Sequence, residues 1–423
     1  MTDSKSHDIA KESPTEIQLS EHDEYGPISG DLLSHEDERF ITEELGDGST
    51  PLQITHDRSG RATIHSSQFV GVLALPSGLS VEIRPKAAGT NFLWLLQYSH
   101  GVDPTTVDHE TRIKQGYTFL DALAALFETE LAELLHHGIH RDYRRTQSTE
   151  AHLRGRLSVQ RQLQKQGPFP LSFEIEYDEL TEDTVINRGI LRATDILSQL
   201  TSDRRISEDL QRHYQLLQKR VTPTYVDASE LETVELSRLN DHYADLLNLT
   251  KLVLRGLFVE EIRLGSRSSF GLLVNMNHVF ERAVERAARE CAAERDGWTA
   301  TGQGHLDGLI VGDHAVDMRP DFLLQNEADE VILVGDAKWK TGSRSAGDIY
   351  QMAAYQLAHD VPGIIVYPQQ GGNQAGRSVV RDEFTLRSVE LPTARDVDSF
   401  ERFVNKLEEA LESVAKQLLA VDE

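Results

Sequence analysis

The chain has 423 residues, too many for one ordinary hydrophobic core, so two or three domains are expected. Its single cysteine, Cys291, excludes an intrachain disulfide and any multi-cysteine zinc or iron–sulfur site, which leaves oxygen or imidazole as metal ligands. The formal net charge of −26 runs against a broad phosphate-binding surface, and an acidic surface with local basic patches suits a salt-rich cytoplasm, so a halophilic source is expected.

Residues 1–40 are rich in Asp, Glu, Ser and His and have little apolar periodicity, which predicts a disordered acidic tail. Nothing there has the basic and then apolar order of a signal peptide. No stretch approaches the roughly 20 apolar residues of a membrane helix, so the expectation is a cytoplasmic protein with no membrane contact. From 41 to 110 short apolar runs such as Phe69-Val70-Gly71-Val72-Leu73 and Val81-Glu82-Ile83 alternate with turn residues, which predicts a small β-rich N-terminal domain. A helix starts near Asn91-Phe92-Leu93-Trp94. In 111–264, three- and four-residue apolar spacing predicts helices over 117–137, 184–200, 205–218 and 239–262, a mainly helical middle region. No internal repeat or long heptad run is present.

Residues 265–423 change to alternating α and β. The pattern predicts a helix from Asn277 to Arg295, strands near Gly308–Val311, Met318–Leu324 and Val331–Asp336, a helix over 346–359, a strand at Gly363–Tyr367 and a terminal helix over 395–419. The fold class is therefore α+β multidomain: a small N-terminal β-domain, a helical middle and a C-terminal α/β domain.

The chemistry concentrates in that last segment. Arg319-Pro320-Asp321-Phe322 enters one strand, and fifteen positions after Asp321 the run Val331-Ile332-Leu333-Val334-Gly335-Asp336-Ala337-Lys338 ends another in charge. Side chains alternate along a strand, so Asp336 and Lys338 share a face, while Ala337 points away and can offer its backbone carbonyl to a metal. If the Asp321 strand is the hairpin neighbour, its carboxylate reaches the same place. Asp321, Asp336 and the Ala337 carbonyl are hard oxygen ligands suited to Mg²⁺ or Mn²⁺. Phosphodiester hydrolysis needs a deprotonated water and stabilised charge on phosphorus and on the leaving oxygen, which such a cation beside the Lys338 ammonium supplies. Glu281, beside Phe280 on the 277–295 helix, can add a carboxylate. On the following helix Asp348, Gln351 and Tyr355 share a face, with Gln351 and Tyr355 as accessory groups. The arrangement resembles the PD-(D/E)xK nucleases.

Plainer readings stand beside these. Asp-x-Lys on a strand also occurs as a solvated pair, Tyr355 can be core and Gln351 surface. Arg141, Arg144, Arg145, Arg154 and Arg156 form a basic island for DNA or partner contact, or helix-surface arginines paired with neighbouring acids. His136, His137 and His140 fit a solvated helix end better than a zinc site. Cys291, at helical spacing from Val284 and Ala287, reads as core.

Several further elements carry a family resemblance, from about Val81 to the end of the 346–359 helix. They are Glu82-Ile83-Arg84-Pro85-Lys86, Leu153-Arg154-Gly155-Arg156-Leu157, Tyr177-Asp178-Glu179-Leu180-Thr181-Glu182-Asp183-Thr184 with Asn187-Arg188, Met276-Asn277-His278-Val279-Phe280-Glu281, and the Asp321 and Asp336-Ala337-Lys338 motifs. With these the chain resembles the McrC family, nuclease subunits of McrBC modification-dependent restriction systems, which serve in defence against foreign DNA. The Gln351/Tyr355 helix looks like that of RecB-type nucleases, and Asn275 departs from an acidic residue usual before Met-Asn. The resemblance implies a PD-(D/E)xK restriction-endonuclease-like C-terminal domain and Mg²⁺-dependent cleavage of double-stranded DNA carrying modified cytosine. It also implies a McrB-like AAA+ GTPase as partner, contacted and stimulated through the N-terminal portion. No Gly-x-x-x-x-Gly-Lys-Ser/Thr occurs in the chain, so no nucleotide is expected on this subunit alone. The alternatives are a non-cutting adaptor or DNA-binding subunit that keeps a nuclease fold, and a RecB-like DNA-repair nuclease.

Overall fold

A computed structural model describes residues 16–28, 33–45, 50–86, 89–101, 119–165, 171–234, 236, 240–255, 257–260, 269–302, 304, 318–340, 345–369, 375–391, 393 and 400–419. The chain is mixed α/β and divides into two compact units, one of Met1–Leu123 with Gly256–Glu423 and one of Ala124–Arg255.

The first unit opens with β1 (Glu16–Ser20), β2 (Glu24–Ile28), α1 (His35–Arg39), β3 (Leu52–His56), β4 (Ala62–Ser66), β5 (Phe69–Ala74), β6 (Ser80–Arg84) and α2 (Gly89–His100). Residues 16–28 and 33–40 are thus structured, against the expectation of a tail disordered to residue 40; residues 1–15 lie outside the described residues. The physical reason is a non-local pairing. β1 runs parallel to β6, with Ile17 opposite Val81 and Leu19 opposite Ile83. That register buries Ile17 and Leu19 to 1% and 4% exposure beneath acidic flanks that hide them in a composition window. Ser34 starts α1 with a capping box, its hydroxyl accepting from the Asp37 amide.

The second unit begins within α3 (Phe119–His137), from Ala124 onward, and contains β7 (Asp142–Glu150), β8 (Arg156–Leu157), α4 (Val159–Lys165), β9 (Phe173–Thr181), α5 (Val185–Leu200), α6 (Arg204–Leu217), α7 (Ala228–Glu232) and α8 (Ala244–Arg255). The helices over 119–137, 185–200 and 204–217 follow their apolar spacing. Helices make up most of the described residues of this region, and β7, β9 and β8 add an antiparallel sheet that the apolar spacing does not announce. β7 is polar and largely exposed and lacks period-two apolar alternation, whereas β9 alternates Phe173, Ile175 and Tyr177 with acids, and charge pairs such as Arg145 with Glu176 join the two strands. The helix expected over 239–262 stops at Arg255; the leucine run continues past Gly256 as a strand.

That strand is β10 (Leu257–Glu260), and with β11 (Ser269–Asn275) it returns to the first unit. The two complete a five-stranded sheet of order β1-β6-β5-β11-β10, so the N-terminal β-region is not closed within 41–110. A smaller sheet, β2-β4-β3, shares its core, which includes Ile17, Phe40, Ile64, Val81 and Leu273.

The chain then forms α9 (Met276–Ala293), β12 (Thr299–Gly302), β13 (Phe322–Gln325), β14 (Val331–Ala337), α10 (Ala346–His359), β15 (Gly363–Pro368), β16 (Gly376–Val380), β17 (Phe384–Leu391) and α11 (Phe400–Leu419). The sheet order is β12-β13-β14-β15-β17-β16, with β14, β15 and β17 parallel. α9 packs on α2 and α11, and α10 packs on β14 and β15. Asp321 lies just before β13 rather than inside a strand from Met318, since Pro320 lacks an amide donor. The strand expected at Gly308–Val311 and the start of the terminal helix, 395–399, lie outside the described residues. Among the described residues no helix is long and apolar enough to cross a membrane.

Candidate functional site

β14 is a central strand, which is why its apolar run is continuous rather than alternating: β13 flanks it antiparallel and β15 parallel. Its register opposite β13 pairs Phe322 with Gly335. A Cβ on Gly335 would stand 2.0 Å from the Phe322 ring, so only glycine admits that ring. The consequence is that Asp321 and Asp336, the neighbours of this pair, meet at one end of the sheet.

The meeting is direct. Asp321 Oδ2 accepts from the Ala337 amide at 2.6 Å, and Lys338 Nζ lies 2.6 Å from Asp336 Oδ2 as an ion pair without hydrogen-bond alignment. Asp336 is 2% exposed. Burial, followed by the charge of Asp336, pushes the Asp321 carboxyl well above the usual carboxylate range. Burial also raises Asp336, against the pull of Lys338 and a side-chain hydrogen bond with Asp321. For Lys338 burial acts downward, yet Asp336, Asp321 and Asp348 together keep the ammonium above its ordinary value. Two buried carboxyls therefore resist ionising together, and one ammonium does not neutralise both.

Glu281 sits on α9, whose buried stripe of Val279, Phe280, Ala283, Val284 and Ala287 faces the core. Asn275 caps this helix by accepting from the Asn277 amide at 3.0 Å, which is what the residue does at the position where the family resemblance leads one to look for an acid. Glu281 is near enough for its charge to raise Asp321, but its carboxylate is paired with His278 at 3.1 Å. Among the described residues no group of three or more His, Cys, Asp or Glu is arranged to hold a metal ion.

The accessory pair acts on the approach to Asp321. Gln351 Nε2 donates to Tyr355 Oη at 3.0 Å, and the Tyr355 hydroxyl donates to the Arg319 carbonyl at 3.3 Å. Tyr355 is also in the core with Met318, Met352 and Ile365, while Gln351 is exposed. The tyrosine is thus both core and a support for the residues before Asp321.

Three residues of the site, Lys340, Glu21 and Trp339, are not singled out by the sequence, and a fourth, Asp348, is marked there only by its shared face with Gln351 and Tyr355. Asp348, 5% exposed in the first turn of α10, takes Lys340 Nζ at 2.6 Å and the Tyr367 hydroxyl at 3.4 Å. Its charge reaches both Asp336 and Lys338. The two-residue spacing past Lys338 was the only signal for Lys340, and the chain has already left the sheet there. The other two, Glu21 and Trp339, join through a 2.7 Å hydrogen bond, and no local pattern announces a contact across that much chain.

The basic island is elsewhere, in the second unit, and is not a helix surface. Arg144 and Arg145 lie on β7 and Arg156 on β8; Arg141 precedes β7 and Arg154 precedes β8. Arg141 pairs with Glu182, Arg144 with Asp183 and Arg145 with Glu176, at 2.7, 3.1 and 3.5 Å. Arg154 stacks over the Tyr177 ring at 4.2 Å. Gly155, at φ +68, lets β8 cross β9 where a Cβ would stand 2.5 Å from the Glu176 carbonyl. His136 and His137 are exposed at the end of α3, and His140 lies beyond it. Cys291 in the first unit is half-buried, donates to the Glu408 carbonyl at 3.3 Å and is pushed up to about 12 by burial.

A family model for the McrBC 5-methylcytosine restriction system component matches residues 64–368, more than half of the chain. The chain belongs to this McrBC family. Every element of the candidate site from Glu281 to Tyr355 falls within the matched span, whereas Glu21 precedes it. No curated protein sequence matches this McrBC component. Among solved structures, a chain of the Thermococcus gammatolerans assembly of McrB AAA+ hexamers with bound McrC is similar at TM-score 0.58 and 20% identity. The match covers 95% of this chain and 100% of that one, and it shows a shared fold. A chain of the Thermococcus gammatolerans McrBC complex matches at TM-score 0.42 and 23% identity, over 67% of this chain and 89% of that one.

Proposed function

We propose that this McrBC component is the DNA-cutting subunit of its system, with a PD-(D/E)xK centre made of Asp321, Asp336 and Lys338. The observation that carries the reading is their convergence: Asp321 bonded to the Ala337 amide at 2.6 Å and Lys338 2.6 Å from Asp336, at the end of a central strand.

The donor chemistry fits a divalent cation. Asp321 and Asp336 are buried oxygen ligands whose mutual repulsion a hard cation would relieve, and the Ala337 carbonyl is a third oxygen within the same motif. Mg²⁺ or Mn²⁺, when bound, supplies a water of lowered pKa and polarises the phosphate. The residues do the rest. Lys338 orients the attacking water or balances charge on the phosphate, and Asp336 holds that ammonium in place. Glu281 can turn from His278 to the centre, and the Gln351–Tyr355 pair steadies the approach to Asp321. The substrate in this reading is double-stranded DNA carrying modified cytosine. The partner is a AAA+ GTPase, as in the Thermococcus gammatolerans assembly of McrB hexamers with bound McrC. The arginines of β7 would have to exchange a carboxylate for a phosphate to take part in binding.

Asp336→Ala tests the centre. The expected result is loss of Mg²⁺-dependent cleavage by at least about a thousandfold, with assembly on the AAA+ partner retained. Cleavage retained by this variant would refute the site, and a wild-type complex that binds but never cuts would favour the adaptor reading.

A further inference from the structure

Glu21 is completely buried in the turn after β1. Its backbone amide donates to the Arg84 carbonyl at 3.1 Å, which closes the β1–β6 pairing. Its carboxylate spans two other segments: Oε2 accepts from the Lys86 amide at 2.9 Å, and Oε1 accepts from Trp339 Nε1 at 2.7 Å. Burying a carboxylate costs several kcal/mol, and two neutral donors offset only part of that. Burial accordingly dominates at this group and pushes it up to about 7, against the two hydrogen bonds and the charge of Lys86. A well-packed apolar residue would serve stability better here, so the acid calls for another reason.

What the carboxylate holds supplies that reason. Trp339 directly follows Lys338. Its ring is 4% exposed and packs on Phe280 with centroids 5.3 Å apart, one residue before Glu281. The Lys338 amide still donates to Val366 at 2.8 Å, but the next residues leave the sheet through a Lys340 amide to Lys338 carbonyl bond of 2.9 Å. Lys338 therefore stands at the last ladder bond of β14, where a strand end is free to twist. Locking the indole from its N–H edge and from its face fixes that twist, and with it the direction in which the Lys338 side chain leaves.

We infer that Glu21 is a positioning residue that sets Lys338 against Asp336 by clamping the Trp339 indole, so that the N-terminal strand forms part of the cleavage machinery. The inference rests on the nuclease reading above. It gives β1 and the Glu82-Ile83-Arg84-Pro85-Lys86 segment a task within the first unit, since both ends of the clamp are built there.

The experiment uses the full chain assembled with its AAA+ partner and compares Trp339→Phe, Glu21→Gln, the double variant and Asp336→Ala. Trp339→Phe keeps the ring on Phe280 and removes only the N–H. Glu21→Gln can still accept from Trp339 but turns an amide toward the Lys86 N–H. Each single variant is expected to lower the cleavage rate at saturating DNA and Mg²⁺ by about tenfold or more, since small misplacements at a reacting centre cost that much. Mn²⁺ affinity, read by electron paramagnetic resonance without DNA, should stay at the wild-type level, the melting temperature should fall modestly as one buried hydrogen bond is lost, and the double variant should be no slower than the slower single. A merely structural role would lower metal affinity together with the rate, and that result overturns the inference. So does a Trp339→Phe protein that cuts within about twofold of wild type. A wild-type complex that does not cut sinks the nuclease reading and this inference with it; wild-type cutting abolished by Asp336→Ala but untouched in the clamp variants sinks the inference alone.

Discussion

Carboxyls set side by side recur in the first unit, and a half-buried pair remote from the candidate centre offers the cleaner test of what partial burial does. Glu408 on α11 hydrogen-bonds to Glu290 on α9, which also takes the Tyr98 hydroxyl at 2.5 Å and Arg286 Nε at 2.7 Å. Burial, then Glu290, raises Glu408 from 4.5 to about 7, while Glu290 is lowered despite burial by its donors, Glu408 foremost. Because the folded pKa of Glu408 lies above the unfolded one, its contribution is full below about 4.5 and is lost as pH rises through about 7. Glu290 works the other way, losing its contribution as pH falls through its folded pKa, so the Glu408 effect governs the window from 4.5 to 7. Glu408→Gln keeps a donor for Glu290 and cannot ionise. Its melting temperature relative to wild type should rise between about pH 5 and about pH 8; a constant difference would show that no proton is shared. At this scale Asp321, Asp336 and Lys338 were legible because strand alternation and a proline-led strand entry are local patterns. Glu21 and Trp339 were not, because their bond joins residues that only the folded sheet order brings together.

Elements with a strong local period were readable and those stabilised at a distance were not. α5 and α6 follow their apolar spacing almost to the residue, and α10 spans Ala346–His359 as its pattern predicts. β1 needs β6, some sixty residues away in the chain, before its two buried side chains have a core to enter. The β7-β9-β8 sheet is the harder case, since ion pairs rather than apolar side chains hold its surface. Its connection to α5 turns on Asp183, which accepts from Arg188 Nε and Nη2 at 2.6 Å each, from the Thr222 amide and hydroxyl at 2.9 Å each, and from Arg144 at 3.1 Å. The Arg188 bonds hold this carboxyl well below the usual range. Asn187 beside it donates to the carbonyls of His140 and Glu182 at 2.9 and 2.7 Å. The Glu182-Asp183-Thr184…Asn187-Arg188 motif that carries much of the family resemblance is therefore a structural joint. Asp183→Ala should destabilise the second unit by about 2 kcal/mol or more in denaturant unfolding, as expected for removing a charged acceptor shared by several donors. A change within about 0.5 kcal/mol would mean the joint is held by other contacts.

For the whole molecule, the division into a small β-domain, a helical middle and an α/β end was legible as texture but not as partition. The five-stranded sheet takes strands from 16–20, 69–84 and 257–275, so the first unit is assembled from both ends of the chain, with the second unit inserted between them in sequence. Local windows see each strand and not the closure. Under the proposed function a chain of net charge −26 needs no basic face, since a motor would deliver the substrate and the reacting phosphate would meet a cation at Asp321 and Asp336. The most direct measurement is cleavage of methylcytosine-containing duplex DNA by the purified chain with Mg²⁺, alone and with its AAA+ GTPase partner and GTP. Little cutting is expected from the chain alone and robust cutting from the complex, lost on omission of Mg²⁺. Robust cutting by the chain alone, or cutting by the complex that survives metal chelation, would contradict the proposed function.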